Sequence, residues 1–144
     1  MLFRSKEEAA KTEGAHTILI DGGITATSGN DAGEILLGRD LIIKPKNSSA
    51  YLDANDKSHV FDVKNGKTLI LEDITIKNGQ AQDGKPGGGA AVWGGCTLIM
   101  KGSSTITNCE ADDGGGVYVD GTFKMEGGAI VTLSTGSDEK ENHD

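Results

Sequence analysis

The sequence predicts an all-β fold, a parallel β-helix of about five coils, and three observations lead to that prediction. Short apolar–x–apolar triplets recur in pairs, and a turn separates the two triplets of each pair. The second triplets begin at residues 41, 69, 98 and 123, so their starts lie 28, 29 and 25 residues apart. Gly accounts for 22 of the 144 residues and Pro for only 2, which suits tight turns and intact strand ladders. Because units of this length cannot each enclose a core, they must stack on one another.

Each coil is predicted to hold three short strands, in which alternation sends every second side chain inward. The first strands are Ile35-Leu36-Leu37, Phe61-Asp62-Val63, Ala90-Ala91-Val92 and Val117-Tyr118-Val119. The second strands are Leu41-Ile42-Ile43, Leu69-Ile70-Leu71, Leu98-Ile99-Met100 and Phe123-Lys124-Met125. The inward residues predicted for the third strands are Leu52, Ile76, Ile106 and Ile130. An earlier coil, with Ile18-Leu19-Ile20 and Ile24-Thr25-Ala26, is expected to begin the stack.

The two ends of the chain differ from the repeats. We expect residues 1–14 to form an N-terminal cap, in which Ser5 and Glu8 make a capping box for a short helix. Such a cap covers the open strand edges of the first coil. Residues 15–133 are predicted to form the β-helix, and residues 134–144 an acidic tail that is disordered or begins a truncated coil.

Several segments carry a family resemblance. Leu52–Asn55, Val60–Val63, Leu69–Gly79 and the Gly-Gly-Gly copies at 87–89 and 114–116 resemble the right-handed parallel β-helix repeats of bacterial surface and secreted proteins. The fold is similar to that of the pectin-lyase-like superfamily, and the Gly-Gly-apolar copies resemble those of polymorphic outer-membrane adhesins. The resemblance spans roughly residues 15–132. It implies a right-handed helix and an extracellular or bacterial cell-surface location, with a signal peptide that a truncated sequence would lack.

Charge and composition argue against several classes of function. A formal net charge of −8 argues against nucleic acid as a partner, because phosphate binding needs clustered Lys and Arg. No apolar run reaches the length of a membrane span. With no CxxC motif and three scattered His residues, neither a metal site nor a cofactor is predicted. The acidic loops lack EF-hand spacing, so we favour solvated turns over calcium binding, which stays open.

Cys96 and Cys109 leave two alternatives open, a disulfide in an oxidising compartment or two free thiols. Cys96 is placed at a turn, and Cys109 is expected to face outward because it follows Asn108. Asn78 and Asn108 each come two residues after an inward Ile. They are interpreted as structural turn residues that stack and bond the backbone, rather than as ligand-binding residues.

Two outward features are candidate binding surfaces. Trp93 follows the inward Val92 at a turn and is expected to be exposed, with Tyr118 facing outward one coil later. Exposed aromatic rings stack well on sugar rings, although Trp93 could instead shield the loop at residues 80–88. The outward residues of the second strands are predicted to form a partner-facing apolar stripe, with ordinary β-propensity as the alternative. The stripe consists of Leu19, Ile42, Ile70 and Ile99.

The function predicted first is a non-catalytic adhesion or binding module on a cell surface or secreted protein, with a glycan or a host or matrix protein as its partner. A fragment of a polysaccharide lyase or glycoside hydrolase whose catalytic coils are missing is the first alternative. The predicted outward columns do not stack two carboxylates, as such enzymes require. A structural stalk is the second alternative, and the fold alone does not choose among the three.

Overall fold

The computed structural model describes residues 16–27, 34–82, 84–132 and 135–136. The predicted cap at residues 1–14, and most of the predicted tail at residues 134–144, lie outside these residues. The described residues form short strands and turns without a helix, and each strand holds two to five residues. The strands are β1 His16–Ile20, β2 Gly23–Thr25, β3 Ile35–Leu36, β4 Leu41–Pro45, β5 Tyr51–Asp53, β6 Phe61–Val63, β7 Thr68–Glu72, β8 Thr75–Lys77, β9 Ala90–Val92, β10 Thr97–Lys101, β11 Thr105–Thr107, β12 Glu110–Ala111, β13 Val117–Val119, β14 Thr122–Met125, β15 Ile130–Thr132 and β16 Thr135–Gly136.

The strands assemble into a stack of parallel sheets. Sheet A has the order β1-β4-β7-β10-β14, sheet B the order β15-β11-β8-β5-β2, and sheet C the order β13-β9-β6-β3. Strands β12 and β16 form a small fourth parallel pair at one corner. Sheets A, B and C each receive one strand from every complete coil, so the described residues hold four complete coils preceded by β1 and β2. The predicted all-β parallel β-helix is confirmed, with about four turns.

The core is the column of inward side chains that alternation predicts. In sheet A, Leu69 lies beside Leu41 on one side and Leu98 on the other, and in sheet B Leu52, Ile76 and Ile106 lie in one register. These six side chains, like Ile35 and Phe61 of sheet C, are buried. Apolar residues of adjacent coils therefore stack along the axis, and that burial drives the coils together.

The last coil departs from the predicted register by one residue. Val131 pairs with the inward Ile106, while Ile130 pairs with the outward-facing Thr105. Ile130 is accordingly 49% exposed, and its prediction as an inward residue is wrong. A shift of one residue exchanges the two faces of a strand, and two adjacent β-branched residues, Ile130 and Val131, give no pattern that fixes the register.

Glycine is required at a corner where neighbouring coils approach one another closely. A Cβ added to Gly89 would lie 2.6 Å from Cγ2 of Ile106 and 2.7 Å from the carbonyl oxygen of Gly116. Gly87 has a φ of +74°, a region that disfavours residues with a Cβ. The Gly-Gly-Gly copies thus form a tight corner before sheet C.

Candidate functional site

The outer face of sheet C buries residues that the repeat pattern places in solvent. Leu36, Asp62, Ala91 and Tyr118 lie in one outward register. Leu36 is exposed, but Asp62 is only 3% exposed and Ala91 is fully buried. Something must therefore cover the middle of this face.

The cover includes the side chain of Trp93, which follows β9. Its Nε1–H donates a hydrogen bond of 2.7 Å to Oδ1 of Asp62, and its ring centroid lies 5.4 Å from that of Tyr118 at an interplanar angle of 55°. Trp93 thus contacts the residues on both sides of Ala91 in the register. The expectation that Trp93 is exposed is therefore corrected, since Trp93 and Tyr118 are both half-buried. We call Trp93 and Tyr118 the aromatic pair.

A group of ionisable side chains adjoins the aromatic pair through Asp62. Donor atoms of Glu34, His59 and Asp62 all lie within 4.8 Å of one another, and we call these three residues the carboxylate–histidine cluster. Nε2 of His59 lies 3.1 Å from Oε2 of Glu34. Nδ1 of His59 lies 3.3 Å from the carbonyl oxygen of Pro86. The side chain of His59 is almost fully enclosed, and Glu34 is the close polar partner of its Nε2.

Two lysines face the cluster from its solvent side. Nζ of Lys64 lies 3.2 Å from Oδ2 of Asp62, and Nζ of Lys85 lies 3.5 Å from Oε1 of Glu34. Burial raises the pKa of Glu34, but the hydrogen bonding and charge of His59 and the charge of Lys85 outweigh it, so the pKa of Glu34 is lowered. The cluster therefore presents a carboxylate to the imidazole at neutral pH.

Sequence reasoning missed this cluster because its members come from two coils. Glu34 comes directly before β3, and His59 lies two residues before β6. The backbone N–H of Ile35 donates to the carbonyl oxygen of Val60, which aligns the two coils at this corner. The available signal was the coil spacing itself, since residues 34 and 59 are about one coil apart.

The two predicted turn asparagines lie in a polar stack at the corner after sheet B. Nδ2 of Asn108 donates to Oδ1 of Asn78 at 2.7 Å, and Nδ2 of Asn78 donates to Oδ1 of Asp53 at 2.9 Å. Both asparagines have a positive φ, 59° for Asn78 and 54° for Asn108, a conformation that Asn adopts more readily than most residues. Their side-chain amides are thereby engaged with the neighbouring coils.

The register of sheet A changes the membership of the predicted apolar stripe. Ile42, Ile70 and Ile99 lie side by side, and each is half-buried. Thr17, not Leu19, is the neighbour of Ile42, and Leu19 instead pairs with Lys44. Leu19 is therefore removed from the stripe, which runs from Thr17 to Lys124 with three isoleucines between them.

Both cysteines are free thiols and both are buried. The expectation that Cys109 faces outward is wrong, because its Sγ accepts a hydrogen bond from the N–H of Gly79 at 3.4 Å within the corner after β11. Burial raises the pKa of the Cys109 thiol to about 11. A thiol in that state is a poor nucleophile and a poor metal ligand at neutral pH.

Comparisons with known proteins give no relative: no family model, curated protein or solved structure matches the chain. Among the described residues, no helix is long and apolar enough to cross a membrane. The outer face of sheet C, with the aromatic pair and the carboxylate–histidine cluster, is therefore the candidate functional surface of the described residues.

Proposed function

We propose that this protein is a non-catalytic binding module of a cell-surface or secreted protein, of the pectin-lyase-like and bacterial adhesin type, and that its aromatic pair contacts a glycan. The supporting observation is the geometry of that pair. Trp93 and Tyr118 lie on one outer face with their rings in contact, and both remain partly accessible. A rigid, half-exposed aromatic surface beside polar groups suits the apolar face and the hydroxyls of a sugar ring.

The hydrogen bond from Trp93 to Asp62 supports this proposal because it fixes the indole. A ring held in one orientation loses little conformational entropy when a ligand stacks on it. Tyr51 is the contrasting aromatic residue, since Nζ of Lys77 lies 4.2 Å above the centroid of its ring. One face of the Tyr51 ring is thus already occupied, and it offers a poorer platform for a sugar.

The stalk alternative is favoured by one specific observation. Trp93 contacts both Asp62 and Tyr118 on the outer face of sheet C, so its role could be purely structural. The enzyme alternative gains less from the structure. Glu34 and Asp62 do come close together, but Asp62 is buried and its two oxygens face Trp93 and Lys64. A general acid or nucleophile has to reach its substrate, and Asp62 does not.

A glycan array and a panel of matrix proteins, probed with the intact chain, test the proposal. Trp93→Ala and Tyr118→Ala remove the two members of the aromatic pair, and Tyr51→Ala is the matched control from sheet B. We expect the wild type and Tyr51→Ala to bind the same glycans, and both aromatic-pair variants to lose that binding while keeping the far-UV spectrum of the wild type.

Other outcomes would count against the proposal. If no probe binds to the wild type, the stalk alternative is favoured. If Tyr51→Ala loses binding as fully as the other two variants, the aromatic pair is not the site.

A further inference from the structure

The geometry points to a divalent transition-metal site, of the kind that takes Zn²⁺, at the carboxylate–histidine cluster. The ligands would be one oxygen of Glu34, Nε2 of His59 and one oxygen of Asp62. This inference does not depend on glycan binding, because it concerns different side chains and has its own readout. A fourth position would be left for water or a ligand, as in zinc sites with three protein ligands.

The first support is the spacing of the donor atoms. Tetrahedral Zn²⁺ with ligands at about 2.0–2.1 Å holds neighbouring donor atoms about 3.3 Å apart. Nε2 of His59 and Oε2 of Glu34 are 3.1 Å apart, close to one edge of such a tetrahedron. All three donors fall within 4.8 Å of one another.

The second support is the surroundings of Nε2 of His59. A carbonyl oxygen can only accept, so the contact of Nδ1 with the carbonyl of Pro86 requires Nδ1 to carry a hydrogen. Nε2 is enclosed and lies 3.1 Å from Oε2 of Glu34, with Asp62 also close. In the neutral imidazole this Nε2 is an acceptor, and two acceptors so close need a proton or a metal cation between them. A metal ion bound by the lone pair of Nε2 and by both carboxylates would satisfy all three groups.

The surroundings match those of a metal-binding histidine. Such a histidine commonly donates its other N–H to a backbone carbonyl or a carboxylate, and ligating carboxylates are themselves hydrogen-bonded. Here Pro86 holds Nδ1 of His59, and Trp93 holds Asp62. The nitrogen donor favours zinc-like ions over Ca²⁺ and Mg²⁺, which prefer oxygen ligands.

Lys64 and Lys85 are the competing cations. Their ammonium groups contact the carboxylates, and both side chains are about half exposed. Each can therefore turn toward solvent when a metal ion binds. Their charges lower the affinity of the cluster for a metal ion, but they do not occupy Nε2 of His59. A change at this nitrogen on addition of metal therefore reports metal binding and not a rearranged lysine ion pair.

The test is a titration of the reduced, intact chain with Zn²⁺ at neutral pH, followed by calorimetry and by NMR of the His59 ring nitrogens. Glu34→Gln removes a ligand charge at a half-buried position and should fold normally, whereas His59→Gln removes the nitrogen donor. His16→Gln is the matched control, because His16 is exposed on β1. Mg²⁺ and Ca²⁺ are tested as competitors.

We expect the wild type and His16→Gln to bind one Zn²⁺ with equal affinity, with a shift of the Nε2 resonance of His59. Glu34→Gln should bind at least about tenfold more weakly, since even the loss of an outer-shell group commonly costs roughly 10–100-fold. The inference is overturned if the wild type binds no Zn²⁺, if Glu34→Gln binds as tightly as the wild type, or if Ca²⁺ competes equally. Loss of Zn²⁺ binding with retained glycan binding, or the reverse, separates this inference from the proposed function.

Discussion

Two neighbouring strands of one coil reverse the usual relation between hydropathy and burial. On β6, the outward Asp62 is almost fully buried, whereas on β7, the outward Ile70 remains partly exposed. Both residues obey the same alternation, and both lie beside the same kinds of inward residues. The difference arises from what contacts them, since Asp62 accepts a hydrogen bond from the indole of Trp93 and pairs with Lys64.

This comparison separates two sources of burial in a β-helix. Inward burial follows from the repeat, because each coil places an apolar residue on the one before it. Outward burial follows from long side chains and loops at the corners, which belong to no repeat. Sheet A has strands of four or five residues, and its outward isoleucines stay partly exposed. Sheet C has strands of two or three residues, and Trp93 at the corner after β9 contacts its outer face.

The largest effect is expected inside the stack. Phe61 is the largest fully buried side chain, and Phe61→Ala should lower the free energy of unfolding by about 3–5 kcal/mol because it leaves a cavity. Leu36→Ala, on the exposed face of the adjacent strand, is the control and should change it by less than about 0.5 kcal/mol. Urea denaturation measures both. Similar values for the two variants would mean that the inward column does not dominate stability.

The second prediction concerns the buried outward position itself. Asp62→Ala removes the acceptor of the Trp93 N–H, and in metal-free buffer it should cost about 1–3 kcal/mol of unfolding free energy. Trp93→Phe removes the donor and leaves the buried Asp62 carboxylate one hydrogen bond short, so its cost should be similar. If Asp62→Ala costs less than about 0.5 kcal/mol, Asp62 is not buried as the comparison requires.

The part of the fold that repeats could be predicted from sequence, and the rest could not. Leu69, Leu98 and Ile76 are inward as predicted, because alternation and coil spacing determine them. The register failed at Ile130, where the adjacent apolar Val131 made two alignments equally good. It failed by two residues at Leu19, because the apolar triplet at residues 18–20 resembles the repeat better than residues 16–18, which pair with residues 41–43. The carboxylate–histidine cluster depends on how the corners of neighbouring coils meet. The local alternation of apolar and polar residues does not predict which corner side chains come into contact.

The third prediction concerns Cys109, which is buried at the corner after β11. The pKa of Cys109 is raised from its ordinary value of 9.0 to about 11 by burial, so the folded protein keeps the thiol proton longer than the unfolded chain does. This contribution to stability is complete below pH 9 and is lost as the pH rises from about 9 to about 11. At pH 10 the loss should be on the order of 1 kcal/mol.

Chemical denaturation of the wild type and of Cys109→Ala from neutral to alkaline pH measures this contribution. The relevant quantity is the change with pH and not the offset between the proteins, because the substitution also removes packing at every pH. We expect the wild type to lose more stability than Cys109→Ala across this interval. If the unfolding free energies of the two proteins change with pH in parallel, burial at this corner does not raise the pKa of the thiol.

The smallest effect is expected on the outer face of sheet A, where Ile70→Lys tests the apolar stripe. Ile70 is half-buried between Ile42 and Ile99, and the polar residues Thr17 and Lys124 end the stripe. With only three isoleucines, the stripe is small for a stable interface, so the variant should change the unfolding free energy by less than about 0.5 kcal/mol and leave the elution volume on gel filtration unchanged. A larger loss of stability, or a change of oligomeric state, would mean that a partner surface covers this face. Asp62 would then be buried by a side chain of the same protein, whereas Ile70 would be buried by a partner surface.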